Sequence, residues 1–374
     1  MRKYIATGLM ALVMVLSSCL FAFAVPSSAP NTANIENEDF YRNNPYRGTT
    51  LNVYNWGEYI SDGGEGSLDV NKKFQELTGI KVNYVNFSQN EDMYTRLSTG
   101  AEVYDVVFPS EYMIQRLIKE DLLAELNLDN IPNIENVLPS LLDPAYDPGN
   151  AHSIPYMWGT LGIVVNTEMV EEPVTSWNDL LNEKYAGEIF MMDSVRDTVG
   201  LALKNLGYSM NSHDPDELAA AGEWLMAQKD SGVVGGYILD QAKDMMAGND
   251  AAMAVMYSGD ALYAMDKNDK LVYVIPDEGS NVWVDGMCVP KSSQNKEAAE
   301  CFINFMCRPD IAQKNMEYIY YSSPIKQVVE GLSEEELASV AMNPTDEMVA
   351  RCEYYVDISD VAYLYDDIWM DVLM

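Results

Sequence analysis

Along the chain, segments with the hydrophobic periodicity of a β-strand alternate with segments that have the periodicity of an α-helix. Strand-like alternation or compact apolar runs mark one set of segments, and helical spacing marks the stretches between them. The predicted strands are residues 51–56, 80–87, 104–108, 161–166, 188–193, 252–257 and 271–275. Strand–helix repetition with short links is typical of sheets that are mostly parallel and covered by helices. The sequence therefore predicts an α/β fold in two successive blocks.

Helix ends are marked by residues with known terminal preferences. Gly79 follows the helix predicted at 68–77, where glycine tolerates a left-handed backbone. Asp214 can cap the next clear helix, Pro215 suits its first position, and Glu217 completes a capping-box pattern. Residues 122–149 have no periodicity and are expected to be irregular, whereas 296–307 and much of 333–374 are expected to be helical.

Length and charge narrow the class of protein. A chain of 374 residues with 48% hydrophobic residues can bury a sizeable core and suits two lobes better than one. The 58 acidic residues against 23 basic ones give a formal charge of −35, which argues against nucleic acid as a partner. An acidic surface raises the local concentration of cations, although most of this charge is explained by solubility alone.

The N-terminus has the pattern of an export signal. Arg2 and Lys3 precede an apolar run at 5–16, too short for a clear membrane span. Two cleavage sites remain open. A signal peptide of residues 1–24 would end at Ala24, whereas a lipobox would give cleavage after residue 18 and lipidation of Cys19; an uncleaved anchor is a third option. Residues 25–47 are polar and are expected to form a flexible linker.

The sequence contains none of the common catalytic or metal-binding motifs. It has no nucleophile elbow, zinc-protease motif, phosphate-binding loop or dinucleotide fingerprint, and it has only two histidines. We therefore expect no enzyme activity, no metal and no cofactor. Cys288, Cys301, Cys307 and Cys352 are expected to be free, mostly buried thiols.

Aromatic residues recur beside acidic or small polar residues just after predicted strands. Five such groups occur, at 56–59, 110–112, 192–197, 257–260 and 283–285. Ligands of open α/β sheets bind where strands end. An organic ammonium is stabilised by aromatic faces and by carboxylates, and a methylene chain fits between flat apolar walls. Each group alone is as well explained by core packing or a helix cap, but together they are compatible with a site for a linear diamine.

From Asn52 to Asp357 the chain resembles the bacterial spermidine/putrescine-binding proteins of ABC importers. The segments that carry the resemblance are YNWGEY at 54–59, FQELTGIKV at 74–82, YDVVFPS at 104–110, SIPYMWG at 153–159, TSWNDL at 175–180, KNLGYS at 204–209 and INFMCRP at 303–309. The pieces around Thr78–Gly79 and Phe302–Phe305 occur widely in solute-binding proteins. The segments at 54–59 and 153–159 are more specific.

The resemblance implies a two-lobed periplasmic-binding-protein fold of type II, with a mostly parallel, helix-flanked sheet in each lobe. Lobe 1 would comprise 48–157 and 287–323, and lobe 2 would comprise 158–286 and 324–374. The protein would be a monomer in the periplasm or on the outer face of the membrane, attached only through a lipid on Cys19. It would bind a linear polyamine between the lobes and deliver it to a membrane permease.

Motif positions also imply the ligand contacts. They are Trp56, Glu58, Tyr59, Ser110, Tyr112, Asp193, Asp197, Tyr257, Trp283, Asp285, Tyr321 and Tyr355. The two aspartates at 193 and 197 align ambiguously with one acidic pair of the family. Gly57, Tyr257 and Tyr355 depart from the usual family residues, so the preference between putrescine and spermidine stays open. A binding protein for a sugar or ferric ion, and more remotely a secreted glycosidase, remain alternatives.

Overall fold

The computed structural model describes residues 38–100 and 102–374. The strands are β1 Thr50–Trp56, β2 Lys81–Phe87, β3 Val106–Val107, β4 Ser153–Asn166, β5 Ile189–Met191, β6 Val234–Tyr237, β7 Met253–Tyr257, β8 Leu271–Val274 and β9 Val282–Cys288. The longer helices are α2 Val70–Thr78, α3 Asn90–Thr99, α4 Glu111–Lys119, α5 Val195–Asn205, α6 Pro215–Asp230, α7 Gln241–Ala247, α8 Ser258–Lys267, α9 Lys296–Met306, α10 Pro309–Ile319 and α14 Ala362–Leu373. The short helices are α1 Glu38–Arg42, α11 Lys326–Val329, α12 Glu334–Ala338 and α13 Asp346–Val349.

Local capping explains where several helices begin and end. The Asp69 side chain accepts a hydrogen bond from the Lys72 amide at the start of α2, and Gly79 ends that helix with a φ of 73°. Asp214 caps α6 as predicted. The predicted capping box of α6 is wrong, because the Glu217 carboxylate accepts a hydrogen bond from the Ser212 hydroxyl instead.

One continuous sheet runs through both lobes. Its strand order is β2-β1-β3-β9-β4-β7-β5-β6, with β8 paired to β4. Strands β1, β2 and β3 are parallel in one lobe, and β5, β6 and β7 are parallel in the other. The prediction of parallel strands holds for these two groups, whereas the strands between them pair antiparallel.

Strands β4 and β9 connect the lobes. The first part of β4, up to Thr160, pairs with β9, and the part from Leu161 onward pairs with β7 and β8. Apolar residues up to Met157 pack in the cores of lobe 1, and those from Leu161 to Ile275 pack in the cores of lobe 2. A single 14-residue strand therefore belongs to two hydrophobic cores, which gives two lobes joined by crossing segments.

Two boundaries of the lobes differ from the sequence prediction. Residues 38–47 were expected to be flexible, but they include α1, and Tyr41 is fully buried against Phe305 in lobe 1. Residues from 324 onward were assigned to lobe 2, but Ile325 and Val328 pack in the core of lobe 1. Both differences arise because apolar side chains in these short segments find partners far away in the sequence. The predicted signal peptide and Cys19 lie outside the described residues.

Other predictions from the sequence have mixed outcomes. The four cysteines at 288, 301, 307 and 352 are free thiols, and the first three are buried, as predicted. The region 333–374 is less helical than predicted, with only α12, α13 and α14. Within the described part of the chain, no helix has the length and apolar character needed to cross a bilayer.

Candidate ligand-binding site

Four aromatic rings from both lobes form one cluster where the lobes meet. Trp283 contacts Tyr321 edge to face with ring centroids 5.0 Å apart, and it contacts Tyr257 at 5.9 Å. Tyr321 in turn contacts Tyr59 at 5.8 Å. We call Tyr59, Tyr257, Trp283 and Tyr321 the aromatic cluster. All four were predicted as ligand contacts, and the structure brings them together.

Glycine residues allow two of these rings to lie against the backbone. A Cβ atom at Gly259 would come 2.3 Å from the Tyr321 ring, and one at Gly159 would come 2.7 Å from the Trp283 ring. Any side chain at either position would therefore displace the ring. Gly259 is the second residue of α8, two positions after the end of β7, and its lack of a side chain allows the Tyr321 ring to lie close to this helix.

Asp285 lies beside the middle of the aromatic cluster, on the same strand as Trp283. Only 6% of its surface is exposed. The Ser110 hydroxyl donates a hydrogen bond of 2.7 Å to its Oδ1 atom, and the Tyr59 hydroxyl faces it without reaching hydrogen-bond geometry. Burial raises the pKa of Asp285 to about 6, against the opposing effect of these two hydroxyls. No described Lys, Arg or His forms an ion pair with this carboxylate.

Asp197 marks one end of the cluster. Its carboxylate accepts hydrogen bonds from the hydroxyls of Ser194 at 2.5 Å, Tyr257 at 2.7 Å and Tyr355 at 3.2 Å. Burial raises the pKa of Asp197, and the three hydroxyls and the nearby Arg196 oppose this shift. Asp193, the other candidate for this position, is exposed. The structure therefore places Asp197 and Tyr355 at the cluster and leaves Asp193 at the surface.

Asp260 marks the other end of the cluster and was not among the predicted contacts. It accepts a hydrogen bond from the Tyr321 hydroxyl at 3.2 Å, and burial raises its pKa to about 6. It lies three residues after the end of β7 and belongs to the strand-end group at 257–260, which was the signal that could have found it. Glu58 lies near this end, but its side chain is 85% exposed.

Trp56 and Tyr112 lie near the cluster without joining it. The Trp56 indole packs on Phe87, with ring centroids 4.5 Å apart, and donates a hydrogen bond to the Phe108 carbonyl. The Tyr112 hydroxyl bonds with Asn90 and Glu91. Asn90 also donates to Ser110, so Tyr112 connects to Asp285 only through this chain of polar groups.

Glu111 is a buried carboxyl of the group at 110–112 and was not among the predicted ligand contacts. It is the first residue of α4, and it has no exposed surface. Its two oxygens accept hydrogen bonds from the backbone amides of Val284 and Tyr355, each at 3.1 Å. Burial raises the pKa of Glu111 to about 8. This residue therefore ties α4 to the strand of Trp283 and Asp285 and to the segment of Tyr355.

Replacing Glu111 with alanine is expected to destabilise the fold by at least about 2 kcal/mol, because two buried amides lose their acceptor. Urea unfolding of the variant and the wild type would measure this free energy. Glu76→Ala, at an exposed position of α2, is the matched control and should change it by less than about 0.5 kcal/mol. If the two variants had the same free energy of unfolding, Glu111 would have no special role in stabilising the fold.

Residues 70–345 match the family of bacterial extracellular solute-binding proteins. The chain belongs to this family. The spermidine/putrescine-binding periplasmic protein of Escherichia coli K12 is 33% identical over 320 residues, which cover 85% of this chain and 90% of that protein. The putrescine-binding periplasmic protein SpuD of Pseudomonas aeruginosa is 30% identical, over 82% of this chain and 87% of that protein.

Solved structures agree with this assignment. The substrate-binding protein of a spermidine/putrescine ABC transporter from Streptococcus pneumoniae is 39% identical, covers 87% of this chain and 99% of its own, and has a TM-score of 0.76. A lipoprotein of Treponema pallidum is 26% identical, covers 86% of this chain and 99% of its own, and has a TM-score of 0.78. These relatives confirm the resemblance predicted from the motifs and the two-lobed fold. The relatives from Escherichia coli, Pseudomonas aeruginosa and Streptococcus pneumoniae are binding proteins and not enzymes, as the sequence predicted for this chain.

Proposed function

We propose that this protein captures a linear polyamine of the putrescine or spermidine kind outside the cytoplasmic membrane and delivers it to an ABC importer. The observation that carries the proposal is Asp285. It is a buried carboxylate without a described cationic partner, it shares a strand with Trp283, and it faces the Tyr59 hydroxyl, so it lies next to two rings of the aromatic cluster. A buried charge of this kind is costly unless a ligand neutralises it.

The aromatic cluster supports an organic cation over a metal ion or an anion. Aromatic faces stabilise ammonium groups, and their flat surfaces can pack along a methylene chain. Asp197 and Asp260 lie at opposite ends of the cluster, bonded to the hydroxyls of Tyr257 and Tyr321. A linear ligand would place one ammonium group at Asp285 and another at an acid beyond the rings, with its methylene chain between them.

The origin of the site residues supports capture by closure of the lobes. Tyr59 and Ser110 belong to lobe 1, Asp197 and Tyr257 belong to lobe 2, and Asp285 lies on the crossing strand β9. Movement of the lobes about β4 and β9 would open the cluster and close it over a ligand. No bond of the ligand is made or broken in this mechanism.

The names of the relatives support the compartment and the partner. The relatives from Escherichia coli and Pseudomonas aeruginosa are periplasmic proteins, and that from Streptococcus pneumoniae belongs to an ABC transporter. We infer that this chain is exported and that a permease accepts its closed form. The proposal also includes a monomeric state and either cleavage of the signal peptide after Ala24 or lipidation of Cys19.

Isothermal titration with putrescine, spermidine, maltose and ferric citrate tests the proposal. We expect saturable heat with a polyamine and none with the sugar or the iron complex. A melting shift that grows with polyamine concentration would support the same conclusion, since a ligand bound only by the folded state raises its stability. Binding of maltose or ferric citrate, with no response to polyamines, would overturn the assignment.

A further inference from the structure

Lys243 places a cation of the protein at one end of the aromatic cluster. Its Nζ atom lies 3.4 Å from Glu58 Oε2 and 3.6 Å from Asp260 Oδ1. Lys243 is on α7 of lobe 2, and Glu58 follows β1 of lobe 1, so the ammonium group bridges the two lobes. The Lys243 side chain is only 19% exposed, and its charge also lies 5.2 Å from the centre of the Tyr263 ring. This geometry holds the ammonium group in place more firmly than an exposed surface pair would.

The acids around Lys243 are connected directly to the aromatic cluster. Asp260 accepts a hydrogen bond from the Tyr321 hydroxyl, and the Tyr321 ring contacts both Trp283 and Tyr59. Burial lowers the pKa of Lys243, but Asp260 and Glu58 outweigh it and leave the pKa above its usual value. The Glu58/Asp260 end of the cluster therefore already holds a cation of the chain, which neutralises one of its two carboxylate charges.

The two other acids of the site have no such neutralisation. Among the described residues, neither Asp285 nor Asp197 has a Lys, Arg or His within ion-pair distance. Arg196, next to Asp197, directs its guanidinium to the Tyr355 ring at 4.5 Å and to the Asn211 side chain at 2.9 Å. Two carboxylates thus remain for a ligand, and Tyr257 and Trp283 lie between them.

We propose that Lys243 is a specificity-determining residue that occupies the Glu58/Asp260 end and makes the site select a linear diamine over a longer triamine. This inference rests on the proposed function. A diamine needs two carboxylates, and Asp285 and Asp197 supply them. A third ammonium group that reaches Asp260 meets a like charge and must displace it, and like-charge contacts discriminate strongly against a ligand.

Lys243→Met tests this assignment, because methionine keeps most of the apolar stem and removes the charge. Titration with putrescine and with spermidine gives the ratio of their dissociation constants. We expect the variant to bind spermidine about tenfold more tightly than the wild type does, with putrescine changing less than about threefold. Lys267→Met is the matched control. Lys267 is an exposed lysine on α8 whose charge lies 4.3 Å from the same Tyr263 ring, and within the described chain it forms no ion pair.

Each outcome of this experiment has a distinct meaning. If Lys243→Met weakened the binding of putrescine and spermidine equally, Lys243 would contribute only to closure of the lobes. This result would overturn its role in specificity. An unchanged ratio, or the same change in Lys267→Met, would also overturn it while leaving polyamine binding intact. If the wild-type protein bound no polyamine, the proposed function would be wrong, and this inference would be wrong with it.

Discussion

Asp285→Asn is expected to weaken polyamine binding at least about 100-fold, the largest effect of any single substitution in the site. Removal of one member of a buried, hydrogen-bonded charge pair costs several kcal/mol, because the other charge stays buried without a partner. Asparagine keeps the size of the side chain and can still bond with the Ser110 hydroxyl. The change therefore removes charge with little change in packing, and titration calorimetry with putrescine would measure the loss.

Two matched substitutions separate this effect from general electrostatics. Asp193→Asn removes the same charge at an exposed position a few residues from Asp197 and should change affinity less than about twofold. Glu58→Gln should also change putrescine affinity little, because Glu58 is 85% exposed and pairs with Lys243. Similar losses in all three variants would mean that the overall negative charge, and not a site at Asp285, attracts the ligand.

The ligand-free stability of Asp285→Asn is expected to move in the opposite direction. Because folding raises the pKa of Asp285 from 3.8 to about 6, the ionised form costs the fold up to about 3 kcal/mol at neutral pH. The variant removes this cost, so its melting temperature without ligand should equal or exceed that of the wild type. A large drop in melting temperature would show that lost binding came from damage to the fold.

Strand periodicity predicted most of the sheet because the strands are half-buried or form compact apolar runs. Strand β9 was missed as a strand because all seven of its residues are buried, so it has no alternation, and Asp285 interrupts its apolar character. Strand β6 was missed because it contains Gly235 and Gly236, which disfavour strands. A Cβ atom at Gly235 would come 2.4 Å from the Gly187 carbonyl, so the close approach of two backbones requires this glycine.

The candidate site was predictable where residues follow strands and not where contacts depend on the fold. Tyr257 is the last residue of β7 and Asp197 follows β5, and the rule that ligand sites form at strand ends anticipates their meeting. The choice between Asp193 and Asp197 needed coordinates, because only the position of the first turn of α5 decides which aspartate is buried. Lys243 contacts a residue 185 positions away, and a single lysine on a helix has no sequence signal for such a contact.

Acidification from pH 7.5 to 4.5 is expected to weaken polyamine binding about 30-fold or more. A carboxyl with a pKa of about 6 must lose its proton to bind an ammonium group, and a single such group, Asp285, gives this factor. Burial raises the pKa of Asp197 as well, which adds to the effect. The ligand amines, like lysine, titrate far above this range and stay charged. Titration calorimetry at several pH values would give the profile, with its inflection near pH 6.

The direction of this pH effect distinguishes it from acid unfolding. The folded-state pKa of Asp285 lies above its unfolded value. Protonation of Asp285 as the pH falls therefore stabilises the fold. We expect the ligand-free protein still to melt cooperatively at pH 4.5. Ser110→Ala is the diagnostic variant, because it removes the hydroxyl that stabilises the ionised carboxylate. The inflection in the pH profile of polyamine binding should move to higher pH in this variant. A flat profile in the wild type, or an unmoved inflection in Ser110→Ala, would mean that Asp285 does not hold the ammonium group.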